Sequence, residues 1–365
     1  MHQAVNAIKS SSPKAAVTKV MVVSEGFKPM RHHTQGADFF QQTYFLNRGD
    51  SNQKEGEAEQ GFMQVLMNTP EREKHWQVPR PKDARTSLRR TALANWITDN
   101  KDGAGHLAAR VIVNRLWQHH FGRGIVATPN DFGKQGDPPT HPELLDYLAT
   151  RLIADGWRLK PLHKLMMTSA VYMQSSQANA ARAAVDPENV LLWRRSAARL
   201  DAEAIRDSLL QVSGLLDDRM YGPGTLDENS LRRSIYFTVK RSQLTPMMQT
   251  FDAPEALVSQ GARTTTTVAP QALLLMNAPL VRRAAESFAG RLAPAAARNS
   301  AEAVGEGFQI VAGRPPTEAE RDACLAFIES QQKSYQAAGQ KDADKRALTD
   351  FCQTLFALNE FVYVE

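Results

Sequence analysis

Apolar residues recur every three or four positions from Thr86 onward, and this spacing constrains the fold more than any other feature. The first clear stripe contains Leu88, Ala92 and Trp96. Spacing of this kind places apolar side chains on one face of an α-helix, where they pack against a core. The sequence therefore predicts a mainly α fold, an irregular multi-helix domain with a small β element.

Helix start signals divide the periodic region into separate helices. Thr140 with Glu143 and Thr317 with Glu320 have the spacing of capping boxes, and Asp201 is a candidate N-cap. We predict helices that start near 86, 107, 140, 161, 201, 270, 280, 318 and 345.

Strand signals are few and short. Val17–Ser24, Thr43–Leu46 and Ile235–Val239 are rich in β-branched or aromatic residues, which favour extended backbone. Two of the three lie in the first 80 residues. We therefore predict a partial mixed α/β fragment over 1–80 and a helical domain over 85–365.

The 365 residues carry a net charge of +5, and the positive charge is uneven. Nine basic residues and three acids lie between Arg80 and Arg123. A basic stretch attracts anionic polymers, but no aromatic side chains alternate with these charges as a base-stacking surface requires. A solvated helix face is the better interpretation, and a nucleic-acid partner is not expected.

Localisation signals are absent from the sequence as it stands. No run of apolar residues reaches the length of a membrane span, and residues 1–17 lack the apolar core of a secretory signal. Cys324 and Cys352 allow one disulfide and no disulfide framework. The chain is either cytoplasmic or part of a longer protein.

Eight segments resemble one known family, and they occur in the family's order. They are Asn114–Val126, Asp131–Gly136, Pro139–Asp146, Arg199–Asp207, Arg233–Phe237, Phe251–Pro254, Pro270–Leu273 and Gly313–Thr317. Together they resemble the C-terminal domain of unknown function of the planctomycete cytochrome-c-domain-containing proteins. The resemblance runs from about Arg85 to the end of the chain.

The resemblance implies an extracytoplasmic protein that is longer than this chain. Family members carry a signal peptide, a cytochrome-c-like haem domain and a second domain of unknown function upstream. Residues 44–66, and Leu46–Asp50 above all, resemble the end of that second domain. Haem is therefore expected only in a domain that this chain lacks, and no cofactor is expected here.

The richest polar constellation combines carboxylates with basic side chains. Neighbouring charges separate the pKa values of paired carboxyl groups, which is the requirement of acid–base catalysis. The candidate catalytic residues are Glu203, Asp207 and Asp252, and the candidate binding residues are Arg115, Asp131, His141, Arg206, Arg233, Lys240 and Arg241. Alternatively, Glu203 pairs with Arg206 or Arg199 and simply connects helices.

Metal and nucleophile signatures are missing. His119 and His120 are adjacent, so their side chains diverge on a helix, and no H-E-x-x-H spacing occurs. We expect no bound metal. The sequence has neither a G-x-S-x-G elbow nor a phosphate-binding glycine loop. Five aromatic residues are predicted to pack in the core: Trp117, Trp157, Tyr172, Trp193 and Tyr236.

Two classes of function remain open from the sequence. The chain is either a non-catalytic module that binds a glycan or a partner protein, or a carbohydrate-active hydrolase that uses paired carboxylates. A raised pKa on one carboxyl group in a concave pocket would favour the enzyme. Exposed or ion-paired carboxylates would favour the module.

Overall fold

The computed structural model of the protein describes residues 43–84, 86–240 and 243–364. In these residues the chain forms thirteen α-helices and two sheets of two short strands each. The predicted mainly α fold with a small β element is therefore confirmed. The strand predicted at Val17–Ser24 lies outside the described residues.

The chain divides into two compact units. The first contains the described residues up to 119 together with 123–127 and 138–167. The second contains 120–122, 128–137 and the described residues from 168 onward. The boundary predicted near residues 80–85 stays a prediction.

The first unit begins with a hairpin and continues with helices. Strand β1 (Tyr44–Leu46), which the sequence predicts, pairs antiparallel with β2 (Lys54–Glu57). The helices that follow are α1 (Arg89–Thr98), α2 (Gly105–Phe121, in this unit as far as residue 119), α3 (Pro142–Ala154) and α4 (Leu159–Met167).

An aromatic cluster forms one core of the first unit. The Phe62 ring lies 5.6 Å from the Trp76 ring and 5.5 Å from the Trp96 ring, centroid to centroid. Trp96 and Ala92 of α1 are buried, as their spacing predicts, but Leu93 and Ile97 beside them are 43% and 38% exposed. The buried stripe of α1 is therefore narrower than the sequence suggests.

A buried amide fixes the chain just after α2. Asn114 is fully buried, its Nδ2 donates to the carbonyl of Val126, and its Oδ1 accepts from the Val126 N–H. Gly122 adopts a φ of +83° at the end of α2, a conformation that glycine tolerates best. At Gly124 a Cβ atom would lie 2.7 Å from Asn114 Nδ2, so this turn requires glycine.

Two predictions for the starts of α3 and α4 are wrong. His141, not Thr140, is the N-cap of α3, and the Thr140 hydroxyl lies within hydrogen-bond distance of the Ile125 carbonyl instead. The capping box with Glu143 is therefore not formed. Helix α4 begins at Leu159, two residues before its predicted start, and ends at Met167.

The second unit contains the remaining helices. They are α5 (Ala180–Val185), α6 (Ala202–Ser213), α7 (Pro246–Thr250), α8 (Ala269–Asn277), α9 (Pro279–Arg298), α10 (Ser300–Val311), α11 (Glu318–Ala337), α12 (Ala343–Leu355) and α13 (Asn359–Val362). The predicted α8–α9 boundary near Asn277 and Pro279 is confirmed. The Thr317–Glu320 capping box is confirmed as well, at the start of α11.

Helix α9 is central to the apolar core of this unit. Val281, Ala284, Phe288 and Leu292 are all fully buried. Helices α6, α10 and α12 pack against α9, and burial of apolar surface is the main stabilising term in such a bundle. Burial also raises the pKa of the Cys352 thiol in α12, which is free.

Helix α6 leads from the core to the candidate site. Asp201 occupies its N-cap, as predicted, but makes no side-chain capping bond. Gly214 ends the helix with a φ of +75°. Just before α6, β3 (Ala198–Arg199) pairs antiparallel with β4 (Tyr363–Val364) near the end of the chain.

The strand predicted at Ile235–Val239 is wrong. Ser234–Tyr236 forms a 3₁₀ turn, and Phe237 makes only an isolated bridge with Thr225. The physical reason is that the N–H groups of Tyr236 and Phe237 donate within the turn, to the carbonyls of Arg233 and Ser234, instead of to a neighbouring strand. The Ser234 N–H, at the start of the turn, donates to Asp207 at 2.7 Å.

Candidate functional site

Glu203, the first candidate catalytic residue, forms a two-bond ion pair. Arg263 donates to both of its carboxylate oxygens, at 2.7 and 3.0 Å, which is the strongest geometry for this pair of groups. Partial burial disfavours the charged carboxylate, but the hydrogen bonds and the charge of Arg263 outweigh it and lower the pKa of Glu203. Glu203 is therefore ionised near neutral pH, and both of its carboxylate oxygens are bonded to Arg263.

Asp252, the second candidate, accepts more side-chain and backbone hydrogen bonds than Glu203 does. Its carboxylate accepts from the Thr266 N–H at 2.8 Å, from the Thr266 hydroxyl at 2.9 Å and from Arg199 Nη2 at 2.8 Å. Desolvation opposes ionisation, but these donors outweigh it and the pKa of Asp252 is lowered. Arg199 is 3% exposed and also donates to the Phe251 carbonyl. The Asp252–Arg199 pair therefore connects β3 to the loop after α7.

Asp207, the third candidate, holds the loop that contains Ser234. Its Oδ1 accepts from the Ser234 N–H, and its Oδ2 lies 3.4 Å from Arg233 Nε. The Arg206 guanidinium is 3.9 Å away. Arg233, a candidate binding residue, is 59% exposed, so its part of this contact is largely solvated.

Arg206, another candidate binding residue, is fully buried and holds the same loop by hydrogen bonds. Its Nη1 donates to the carbonyl of Arg232 at 2.9 Å and to the Ser234 hydroxyl at 3.2 Å. Its Nη2 donates to the carbonyls of Glu228 and Ser230. Burial lowers the pKa of Arg206, opposed chiefly by the charge of Asp207.

The remaining candidates of the second unit are peripheral to these contacts. Asp131 Oδ1 accepts from the Gly133 N–H at 2.8 Å and shapes a local turn. Lys240 is exposed, and its carbonyl accepts from the Gln243 N–H. Arg241 lies outside the described residues.

Arg115 and His141 belong to the first unit. Arg115 is half-buried on α2. His141 is half-buried at the N-cap of α3, where its Nδ1 lies 2.9 Å from the Thr140 hydroxyl.

The structure thus joins Arg206, Asp207 and Arg233, whereas Glu203 and Asp252 each bond a separate arginine. The pairing of Glu203 with Arg206 or Arg199, expected as the structural alternative, is replaced by Arg263. We call the loops 217–240 and 252–268 the arginine-anchored loops, because Arg206 fixes the first and Arg199 and Arg263 fix the second.

Sequence reasoning missed several residues that organise these loops. Arg263 and Thr266 lie in a stretch without periodicity, so no local signal identifies them. Arg232 donates to the carbonyls of Pro223, Arg219 and Tyr221, and its guanidinium lies 3.7 Å from the Tyr236 ring centroid. The adjacent pair Arg232 and Arg233, at the start of the Arg233–Phe237 segment, was the one available hint.

The prediction that five aromatic residues pack in the core is correct for one of them. Trp117 is buried, whereas the other four are half-buried: Trp157, Tyr172, Trp193 and Tyr236. Three of the four have an arginine over the ring, at 4.9, 4.2 and 3.7 Å in Trp193, Tyr172 and Tyr236. Each of these three rings therefore has the geometry of a cation–π contact.

Metal-binding clusters and membrane-spanning helices are both absent from the described residues. Within 43–84, 86–240 and 243–364, no three His, Cys, Asp or Glu side chains are grouped so that they could hold a metal ion. In the same residues, none of the helices combines the length and the apolar character that spanning a membrane requires.

Comparison with known families identifies the chain. A family model described as PSD1, protein of unknown function (DUF1553), matches residues 89–328. The chain belongs to this family. The resemblance to a C-terminal domain of unknown function is thereby confirmed, while the association with cytochrome c remains a prediction. Neither the curated proteins nor the solved structures contain a match to the chain.

Proposed function

We propose that this member of the DUF1553 family is a non-catalytic module that binds a partner protein through the first arginine-anchored loop. The observation that carries the proposal is a set of exposed apolar side chains on a loop whose backbone is held by buried or stacked arginines. We call this set the Tyr221 surface and define it as Met220, Tyr221, Ile235 and Val239.

The four side chains of the Tyr221 surface are among the most exposed large apolar side chains of the described residues. They are 68%, 78%, 74% and 77% exposed, in chain order. Single exposed apolar residues are ordinary, whereas a contiguous apolar patch marks an interaction site, and we infer that these four form such a patch. Tyrosine and methionine are also among the residues enriched in protein interfaces.

The backbone beneath the Tyr221 surface is fixed by hydrogen bonds. The Tyr221 N–H donates to the Tyr236 hydroxyl at 2.7 Å. Thr225 exchanges backbone hydrogen bonds with Tyr236 and Thr238, at 2.9 and 2.8 Å. Because the loop is already ordered, binding a partner costs less conformational entropy than it would for a loose loop.

The state of the carboxylates supports a module rather than a hydrolase. A glycosidase needs one carboxyl group that is protonated near neutral pH, and therefore has a raised pKa. The pKa values of Glu203 and Asp252 are lowered instead. All three candidate carboxylates accept hydrogen bonds that tie loops to α6 or β3, so we assign them a structural role in this proposal.

The composition of the Tyr221 surface favours a protein over a glycan. Sugar hydroxyls need matching donors and acceptors, and specificity for them comes from polar groups in a site. Met220, Ile235 and Val239 offer none. The resemblance further implies that the partner is met outside the cytoplasm, in a larger cytochrome-c-associated protein, and we include that setting in the proposal.

A photo-crosslinking experiment tests the proposal. The crosslinker p-benzoylphenylalanine replaces Tyr221 in the natural full-length protein, and cells that express it are irradiated. We expect a discrete adduct whose added mass is identified as a protein by mass spectrometry. A carbohydrate adduct would overturn the choice of a protein partner.

Leu257 provides the matched control because it is 61% exposed but lies on the other arginine-anchored loop. The same crosslinker at position 257 should give no discrete adduct. Equal products from both positions, or none from position 221, would contradict a binding role for the Tyr221 surface.

A further inference from the structure

A cavity of about 370 Å³ opens between four helices of the second unit. Its floor consists of buried apolar side chains, including Ala289, Ala303, Ile328 and Leu348. Helices α9, α10, α11 and α12 each contribute to the wall. Ligand sites in proteins typically have this size and a mostly apolar lining.

The cavity is open because α9 presents small residues where the chain could place larger ones. Gly290, Ala293 and Ala297 of α9 line it. A Cβ atom built on Gly290 would meet nothing within 4 Å. Glycine in the middle of a helix costs about 1 kcal/mol relative to alanine, so Gly290 leaves space at the expense of helix stability.

A second local feature concerns the backbone carbonyl of Gly290, a residue that lines the same wall. Pro294 lies inside α9, and proline has no backbone N–H. The carbonyl of Gly290 therefore lacks the donor four residues later that an α-helix normally supplies. Gly290 thus combines open space with a carbonyl that is short of a donor, and a hydroxyl group is the simplest ligand group to supply one.

The mouth of the cavity is polar but balanced in charge. Ser300 and Gln332 line it together with one acid and one base, the neighbouring Asp344 and Lys345. A charged ligand would have to leave water without a dedicated counter-charge. The lining therefore favours a neutral molecule.

We propose that this cavity is a binding site for a small neutral molecule with an apolar body and a hydroxyl group. Its volume accommodates about ten heavy atoms, at roughly 30 Å³ for each. The apolar body contacts the alanines of α9 and the floor, and the hydroxyl donates to the Gly290 carbonyl. This inference is independent of the partner-binding proposal, because it involves different residues and a different class of ligand.

The probe is 1-octanol, and its binding to the whole chain is measured by isothermal titration calorimetry. We expect saturable binding to the wild type. Gly290→Leu fills the open space and should weaken binding at least about tenfold, equivalent to ~1.4 kcal/mol. Absence of saturable binding to the wild type would overturn the proposal.

Gly305→Leu is the matched control. Gly305 also lies within a helix, α10, a Cβ atom built on it also meets nothing within 4 Å, and it does not line the cavity. Both substitutions therefore raise helix propensity, but only one fills the cavity. Equal weakening, or no weakening, in the two variants would place the bound octanol elsewhere and contradict the assignment.

Two further measurements complete the test. Octanoate, the charged analogue, should bind at least about tenfold more weakly than 1-octanol, since the anion pays an uncompensated desolvation cost. Equal affinities would reject the neutral class. If circular dichroism shows that Gly290→Leu is unfolded, Ala297→Leu at the same wall replaces it, with the same expected result.

Discussion

Two regions of the second unit are held together by different physics. In the bundle of α9, α10 and α12, the buried core is apolar: α9 alone buries eight hydrophobic side chains. In the arginine-anchored loops, guanidinium groups hold backbone carbonyls and carboxylates instead. Arg206, Arg199 and Arg263 bond partners 22 to 60 residues away in the chain.

Arginine side chains can therefore order an irregular segment that has no sheet or helix of its own. Apolar packing tolerates many sequences of similar volume and is insensitive to protonation. Charge-assisted hydrogen bonds depend on specific donors, and loss of one partner leaves the other buried and unpaired. The bundle should therefore respond to changes in volume, and the loops to changes in charge.

The largest expected effect is in the bundle. Phe288→Ala should lower the free energy of unfolding by about 4 kcal/mol, because it removes a fully buried ring and leaves a cavity. Urea denaturation followed by circular dichroism measures this, with the exposed Leu257→Ala as control. A loss below about 1 kcal/mol would mean that apolar packing does not dominate in the bundle.

Arg206→Met should cost about 3 kcal/mol, since it leaves the carbonyls of Glu228, Ser230 and Arg232 without their donor. Hydrogen exchange should rise mainly in residues 217–240. Arg233→Met, at a side chain 59% exposed, should change the free energy of unfolding by no more than about 0.5 kcal/mol. Similar losses in the free energy of unfolding for the two variants would contradict the different roles assigned to buried Arg206 and exposed Arg233.

Asp252→Asn should cost about 2 kcal/mol near neutral pH, the value of hydrogen bonds to a charged group. Asparagine tolerates the φ of +60° at this position, so the change removes the charge and one acceptor oxygen without straining the backbone. Asp342→Asn is the matched control, with a φ of +61° and no side-chain capping bond, and should be nearly neutral.

The cost of Asp252→Asn should depend on pH in a defined direction. The pKa of Asp252 in the folded protein is lowered below 3.8, so the carboxylate contributes its full stability above that value and loses it as the pH falls through the folded pKa. The difference between wild type and variant in urea denaturation should therefore shrink below about pH 4. A difference that grows on acidification would contradict the anchoring role.

The smallest effect is expected at the more exposed pair. Glu203→Gln should cost about 0.5 kcal/mol, because Glu203 and Arg263 are 36% and 38% exposed and water screens their attraction. Glu318→Gln, in the first turn of α11, is the control. If the wild type cleaves a polysaccharide and Glu203→Gln loses this activity with unchanged stability, the hydrolase alternative is supported again.

Local helix signals were confirmed at two places and failed at a third. The Thr317–Glu320 capping box and the Asn277–Pro279 boundary depend on residues a few positions apart, and both are confirmed. The Thr140–Glu143 box has the same spacing as the first but does not form. Ile235–Val239 failed because β-branched composition is only a local preference, and the backbone there closes a 3₁₀ turn and makes an isolated bridge with Thr225.

The sequence by itself determined the family and the mainly helical class, since motifs and apolar periods are properties of neighbouring residues. Tertiary structure alone decided which arginine each carboxylate meets. Glu203 finds Arg263 sixty residues later and Asp252 finds Arg199 fifty-three residues earlier. Such partners are brought together only when helices pack, and packing is driven by apolar burial that carries no information about which charges it will join.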